Sequence, residues 1–315
     1  MTIWMSLPSS VIPEPTIAQD TQEVDAWYQR ICRAFAHSVN PPQDALLLPR
    51  ALGMDTEDLA ACAIKQVLET EVGNELLTVE MLVDCRSSAA IGGSAPTYGL
   101  AAKAGLRTTL PFSLAGQAGA EVAQALTFIQ HMSWEESKVV VISAAQRVVP
   151  PDTRVWPSRF PLADAAAAII VARSPIALGK SFRVLSVASG QLEDSQGDKP
   201  ETVLNRAAET ARIAPQNIKW AVAHRCSREF EGVVQRTLPN AVWLTRDLHP
   251  TVDFGCADSL ISLQRVFTIE PTPPAGIGAL WFIGRFGATA VILLDSSSVS
   301  LWKRYVSLNP YAQRQ

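Results

Sequence analysis

Four segments of strand length are apolar at nearly every position rather than at every second one: Lys138-Val-Val-Val-Ile-Ser-Ala144, Asp164-Ala-Ala-Ala-Ala-Ile-Ile-Val-Ala172, Gly278-Ala-Leu-Trp-Phe-Ile283 and Ala288-Thr-Ala-Val-Ile-Leu-Leu294. A strand with one wet face alternates apolar and polar side chains, whereas a continuous run needs cover on both faces. Helices are the usual cover. Helical patterns do alternate with these runs, so the chain is predicted to be α/β, with helices layered on mixed sheets.

The remaining punctuation is consistent with this. Residues 56–68 read as a helix capped by Asp55 or Thr56, with acidic side chains in the first turn. Further helices are predicted over 95–104, from the turn at Gln117 to His131, over 201–213, over 228–237, and from Phe254 to Phe267. Shorter strands are predicted at 79–84, 109–114, 182–189, 219–224 and 241–244. The turn Gly284-Arg-Phe-Gly287 has the spacing of a hairpin between the last two apolar runs. Residues 1–50 are proline-rich (Pro8, Pro13, Pro15, Pro41, Pro42) and read as irregular, apart from a helical spacing of Val24, Trp27, Ile31 and Phe35. The second part of the chain repeats the first in outline, which predicts an internal duplication with an N-terminal half over 1–190 and a C-terminal half over 191–315.

Composition excludes several function classes. At 48% hydrophobic and 18% charged, the 315-residue chain is neither disordered nor highly charged. Its net charge of −3, with both signs interspersed, gives no basic footprint for nucleic acid. Five widely spaced cysteines (Cys32, Cys62, Cys85, Cys226, Cys256) without a C-x-x-C pair predict reduced thiols rather than a disulfide framework or a zinc knuckle. With no secretory leader and no apolar run of membrane-spanning length, the expectation is a soluble, cytoplasmic protein without a membrane partner. No phosphate-cradling glycine loop and no His-x-x-x-His pair is present, so neither a metal nor a nucleotide redox cofactor is expected.

Three residues stand at predicted strand-to-helix junctions, where layered α/β folds build their sites: Gln117 in Leu114-Ala-Gly-Gln117-Ala-Gly119-Ala, His224 after the strand Lys219-Trp-Ala-Val-Ala, and Cys256 in Phe254-Gly-Cys256-Ala-Asp258-Ser. Each also has a plain structural alternative. Gln117 could be a solvated helix-start residue, His224 a satisfied core histidine, and Cys256 a small apolar filler. Asp164 reads as an anchor for backbone N–H groups.

In this order and spacing the chain resembles the ketosynthase III branch of the thiolase-like superfamily. The family's small-Cys-x-Gly nucleophile turn corresponds to Gly116-Gln117-Ala-Gly119, and its Phe-Gly-Asp-Gly-Ala-Gly-Ala block to Leu162-Ala-Asp164-Ala-Ala-Ala-Ala168. Its His-Gln-Ala-Asn motif reads His224-Arg-Cys-Ser227 here, its Gly-Asn motif Gly255-Cys256, and its closing glycine turn Gly284-Arg-Phe-Gly287. The resemblance implies a thiolase-like fold of two duplicated halves in αβαβα layers. It places Gln117 at the nucleophile position, His224 at the histidine and Cys256 at the asparagine. It further implies that Trp27 and Arg30, together with the loop residue Arg154, contact coenzyme A. A coenzyme A or acyl-carrier-protein thioester is then the expected substrate, with no covalently bound cofactor.

Glutamine cannot carry an acyl group, so the acyl-enzyme route is closed at this position. The leading expectation is a non-catalytic or impaired subunit, paired with a homologous ketosynthase-like chain or with itself, in a fatty-acyl or polyketide-like pathway, with acyl carrier protein as a further candidate partner. The alternatives are a malonyl-thioester decarboxylase or an acyltransferase without a cysteine intermediate, and a protein in which Cys256 has become the nucleophile.

Overall fold

In the computed structural model the described residues are 2–17, 47–51, 53–71, 78–86, 96–106, 109–115, 119–147, 160–176, 181–191, 199–269, 274–284 and 287–297. The strands are β1 (Ile3–Ser6), β2 (Ser9–Val11), β3 (Pro15–Ile17), β4 (Leu47–Pro49), β5 (Thr78–Arg86), β6 (Leu110–Ala115), β7 (Lys138–Gln146), β8 (Ala165–Ala172), β9 (Ser181–Gln191), β10 (Ile218–Val222), β11 (Val242–Leu244), β12 (Ile277–Ile283) and β13 (Ala288–Asp295). The helices are α1 (Thr56–Glu71), α2 (Pro96–Lys103), α3 (Glu121–His131), α4 (Pro200–Ala211), α5 (Arg228–Thr237) and α6 (Asp258–Ile269). Among the described residues, no helix is long and apolar enough to cross a membrane.

The strand order is β11-β10-β12-β13-β9-β1-β8-β7-β5-β6. Reading outward from the centre, β1-β8-β7-β5-β6 and β9-β13-β12-β10-β11 are the same five-strand arrangement. In each, the first two pairings are antiparallel and the last two parallel. The antiparallel pair β1–β9 joins them. In this order β9 takes beside β13 the position that β1 holds beside β8.

Burial sorts the elements into five layers. Along β8, Ala165, Ala167, Ile169 and Val171 enter a central cluster with α3 and α6, while Ala166, Ala168, Ile170 and Ala172 face α1 and α2. Likewise Trp220, Leu280 and Phe282 of the second half point to the central helices, and Ala221, Ala279 and Trp281 to α4 and α5. This is αβαβα, and it explains why these strands are apolar without alternation: every residue has a helix over it. Phe267 of α6 makes edge contacts with Phe182 (4.9 Å between ring centroids) and Trp220 (5.3 Å), tying the middle layer to the second half-sheet.

Local chemistry sets the helix starts. Asp55 caps α1, its Oδ1 accepting the Asp58 N–H at 2.7 Å while Asp58 Oδ2 accepts the Asp55 N–H at 2.9 Å, a reciprocal box. Ser227 caps α5 by accepting the Phe230 N–H at 3.1 Å.

One expectation is overturned. Residues 2–17 and 47–50 are not irregular: β1 lies at the centre of the sheet, with Ile3 and Met5 wholly buried, and β2, β3 and β4 are strands. Four residues before Pro8 carry no measurable periodicity, and β1 owes its conformation to pairing on both sides with β8 and β9. The helix predicted around Trp27 lies outside the described residues.

Candidate functional site

The site is assembled at the carboxyl ends of the parallel strands of both halves. His224 follows β10, Ile283 ends β12, Cys85 and Arg86 end β5, and Ala145 lies near the end of β7. A tight turn over Gly255–Ala257 leads from the preceding loop into α6.

His224 is 1% exposed. Its Nε2 lies 2.9 Å from Asp253 Oδ1, and its Nδ1 accepts the Ile283 N–H at 3.4 Å. An acceptor at Nδ1 fixes the neutral tautomer: the ring proton is on Nε2, directed at the carboxylate. Burial opposes a charged ring, but the Asp253 carboxylate outweighs it, aided by Asp258, and the pKa of His224 is raised above the usual histidine value. A second proton would have to enter at Nδ1, against the Ile283 N–H. At 3.4 Å that contact is the weaker of the two, and it is the one that yields on protonation.

Asp253 is itself held by both chains of neighbouring backbone. Its amide donates to Pro161 O at 2.9 Å, its carbonyl accepts from Ala163 N at 3.0 Å, and its Oδ1 also accepts the Gly255 N–H at 2.7 Å. The segment around Leu162 thus runs as a parallel bridge beside Asp253 and carries the first half into the second half's site. Asp164, at the end of that segment, accepts the Ala51 N–H at 2.9 Å and faces Arg50, as expected of a backbone anchor.

Behind His224 lies a closed ionic layer. Arg246 Nη1 donates to Asp258 Oδ2 at 2.7 Å, with both side chains fully buried. The guanidinium also donates to Leu248 O, Val252 O and Ser262 Oγ. Asp258 receives the Arg225 and Phe254 amides at 2.8 and 3.0 Å. Burial would raise its pKa, but Arg246, His224 and those two amides hold it below the usual carboxylate range. His224, Asp253 and Asp258 offer ligand atoms within 4.8 Å of one another, the spacing of a cation site. Arg246 already supplies the positive charge there, and Asp253 Oδ1 and both Asp258 oxygens accept N–H donors.

Cys256 is fully buried, and its Sγ lies 3.4 Å from Cys85 O and 3.5 Å from Ala145 O, so the thiol is turned onto the strand ends of the first half. Cys85 is buried beside it, and burial, with Cys256, Glu121 and Asp84 nearby, pushes its thiol well above the ordinary cysteine pKa. The Cys85 thiol is therefore not a thiolate near neutral pH. Cys62, Cys85, Cys226 and Cys256 are all free of disulfides.

Of the residues singled out from sequence, the structure brings together His224 and Cys256 with their turns. Gln117, Trp27, Arg30 and Arg154 lie outside the described residues. Gly119, two residues beyond Gln117, has φ +145° and packs so closely on the Ile283 carbonyl that a Cβ there would collide with it. The same Ile283 donates its amide to His224, so the start of α3 and the histidine share one stretch of backbone. Sequence reasoning missed Asp253 and Arg246. Only the apolar neighbours in Val252-Asp253-Phe254 hint that this aspartate is buried.

No protein-family model and no curated protein sequence matches the chain. Solved structures do match in fold. ChlB3, described as an acyltransferase, superposes with a TM-score of 0.72 at 14% identity, over 95% of this chain and 100% of that one. The 3-oxoacyl-(acyl carrier protein) synthase III of Pseudomonas aeruginosa PAO1 gives 0.68 at 14% identity, over 94% and 98%. OleA of Xanthomonas campestris, solved with lauric acid and lauroyl-CoA, gives 0.65 at 12% identity, over 94% and 99%. The chain has the thiolase-like fold of the ketosynthase III enzymes.

Proposed function

We propose that this chain is a thiolase-fold homologue of ketosynthase III that performs no covalent acyl transfer and acts as the silent subunit of an acyl-thioester enzyme, paired with an active homologue. The observation that carries this is the state of the thiols at the site. With glutamine at the nucleophile position, Cys256 and Cys85 are thiols at the strand ends of the first half, and both are wholly buried, Cys256 with its Sγ on the carbonyls of Cys85 and Ala145 and Cys85 with its pKa raised by burial. Covalent catalysis needs a thiolate within reach of substrate. The same burial argues against Cys256 as a substitute nucleophile.

The edge strand β6 supports the pairing. It is exposed along much of its length, and Leu110 (58% exposed) and Phe112 (38%) stand on it, with Phe112 stacked on Phe128 of α3 at 5.2 Å. An open edge with aromatic side chains pairs readily with another strand. A second chain continuing the sheet across a two-fold axis would cover it. The expected substrate class for the pair is a coenzyme A or acyl-carrier-protein thioester in a fatty-acyl or polyketide-like pathway, on the analogy of the solved relatives.

Co-expression with a ketosynthase III-like chain from the same genome, followed by size exclusion, tests this. A stable heterodimer that Phe112→Asp dissociates is expected. A chain that stays monomeric beside every such homologue contradicts the proposal. One observation favours a second reading: His224 carries its ring proton on Nε2, 2.9 Å from Asp253, and that N–H, once released from the carboxylate, could polarise a thioester carbonyl, as a malonyl-thioester decarboxylase or a non-covalent acyltransferase would require. Acetyl product formed from malonyl-coenzyme A above the buffer rate, and lost in His224→Ala, would establish it.

A further inference from the structure

We infer that Asp253 is a positioning residue that holds the site closed: its carboxylate takes the Nε2–H of His224, the Ile283 amide takes Nδ1, and a thioester carbonyl can reach the imidazole only after Asp253 moves aside. This rests on the reading of His224 as the site histidine. It goes beyond the loss of the nucleophile, because it makes the histidine unavailable as well.

The geometry leaves little alternative. In the neutral ring Nε2 carries the proton and points it at Asp253 Oδ1, 2.9 Å away. In the protonated ring Nε2 still carries a proton and the partner is still there, now as an ion pair. In neither state does Nε2 offer a lone pair to a thiol or a free N–H to a carbonyl oxygen. The other nitrogen faces a backbone amide that cannot rotate away without moving Ile283, on which Gly119 is packed.

Asp253 is also more firmly placed than a surface aspartate. Its backbone is bonded on both sides to residues 161 and 163, and its Oδ1 is shared with the Gly255 N–H at the turn that precedes Cys256. The adjacent carbonyl of Val252 accepts from the buried Arg246 guanidinium. The charged groups acting on the ring are therefore Asp253 at Nε2, Asp258 behind it and Arg246 opposing them. A carboxylate fixed this way needs no reorganisation to keep the imidazole engaged.

The test combines a ring measurement with a reactivity measurement on the full chain. Nitrogen-15 NMR of the histidine rings, with His224→Gln to assign the signal among four histidines, should find His224 protonated at Nε2 throughout about pH 6 to 9. In Asp253→Asn, which keeps an acceptor for Nε2–H and for Gly255 but removes the charge, the same tautomer should persist with a lowered pKa, since burial and Arg246 are then opposed by Asp258 alone. With a thiol introduced by Gln117→Cys, adding Asp253→Ala should speed acylation by acetyl-coenzyme A about tenfold, because the freed Nε2–H can donate to the thioester carbonyl oxygen. A wild-type ring protonated at Nδ1 alone, a pKa unchanged in folded Asp253→Asn, or acylation slowed by Asp253→Ala overturns the inference. The ring measurements do not depend on any partner subunit, so their failure is separable from failure of the silent-subunit proposal.

Discussion

Removing Arg246 tests whether the ionic layer behind His224 is as closed as the geometry indicates. Its guanidinium and the Asp258 carboxylate are both fully buried, 2.7 Å apart. Arg246→Met keeps much of the aliphatic volume but leaves Asp258 charged, with His224 and two backbone amides as its remaining partners, and strips donors from the carbonyls of Leu248 and Val252. Breaking one side of a buried pair costs about 3–5 kcal/mol, whereas replacing both sides with neutral groups is often nearly free. Urea unfolding of Arg246→Met, Asp258→Asn and the double variant at neutral pH should therefore show Arg246→Met within that range and a favourable coupling of roughly 2 kcal/mol in the double variant. The pH dependence has a defined sign. Asp258 has a depressed folded pKa, so its contribution is present above the unfolded value of 3.8 and is lost only as pH falls through the lower folded pKa. The coupling should persist from neutral pH down to about pH 4 and shrink below it. A loss under about 1 kcal/mol for Arg246→Met, or effects that add within about 0.5 kcal/mol, would refute the reasoning.

His224 should show the opposite pH trend. Its folded pKa is raised, so the stability it contributes is complete below the unfolded value of 6.5 and declines as pH rises through the folded pKa; the stability difference between wild type and His224→Gln should narrow between about pH 6 and 9, and a widening gap would contradict the Asp253 contact. Gly119→Ala places a Cβ on the Ile283 carbonyl at a φ of +145°, and should cost about 1–3 kcal/mol while disturbing the His224 ring signal; a neutral effect would mean α3 does not start against Ile283. Gly278→Ala drives a methyl into the Trp220 indole at the second half's core, for an expected loss of about 1–3 kcal/mol by chemical denaturation and a shifted tryptophan emission.

The strands and helices from β5 to β13 were legible because continuous apolar runs and capped amphipathic segments each have one physical solution once both faces must be covered. The duplication was legible only as an outline, and strand order made it concrete. At the N-terminus the sequence failed to disclose β1, since Ile3-Trp-Met-Ser6 is too short for a period and its conformation is imposed by β8 and β9. His224 was found because a histidine at the end of an apolar strand is placed by the strand itself. Cys256, read as either filler or nucleophile, lies fully buried with its Sγ against Cys85 O and Ala145 O. Arg246 escaped notice because it lies in the polar stretch Thr245-Arg-Asp-Leu-His-Pro-Thr251, and Asp253 because it is paired with residues 161–163, some ninety positions earlier, running alongside. No local pattern encodes that contact.

The central claim, that this site has lost covalent acyl transfer through its nucleophile position and has no thiol to replace it, is tested most directly by intact-mass analysis after incubation with an acyl-coenzyme A. Wild type should remain unmodified, while Gln117→Cys, which on the proposed reading restores a thiol at the nucleophile position, should gain one acyl group. Ser113→Cys, inside β6, serves as the control and should stay unmodified. A wild-type chain that acquires an acyl group on Cys256, or a Gln117→Cys thiol no more reactive than the control, would contradict the account.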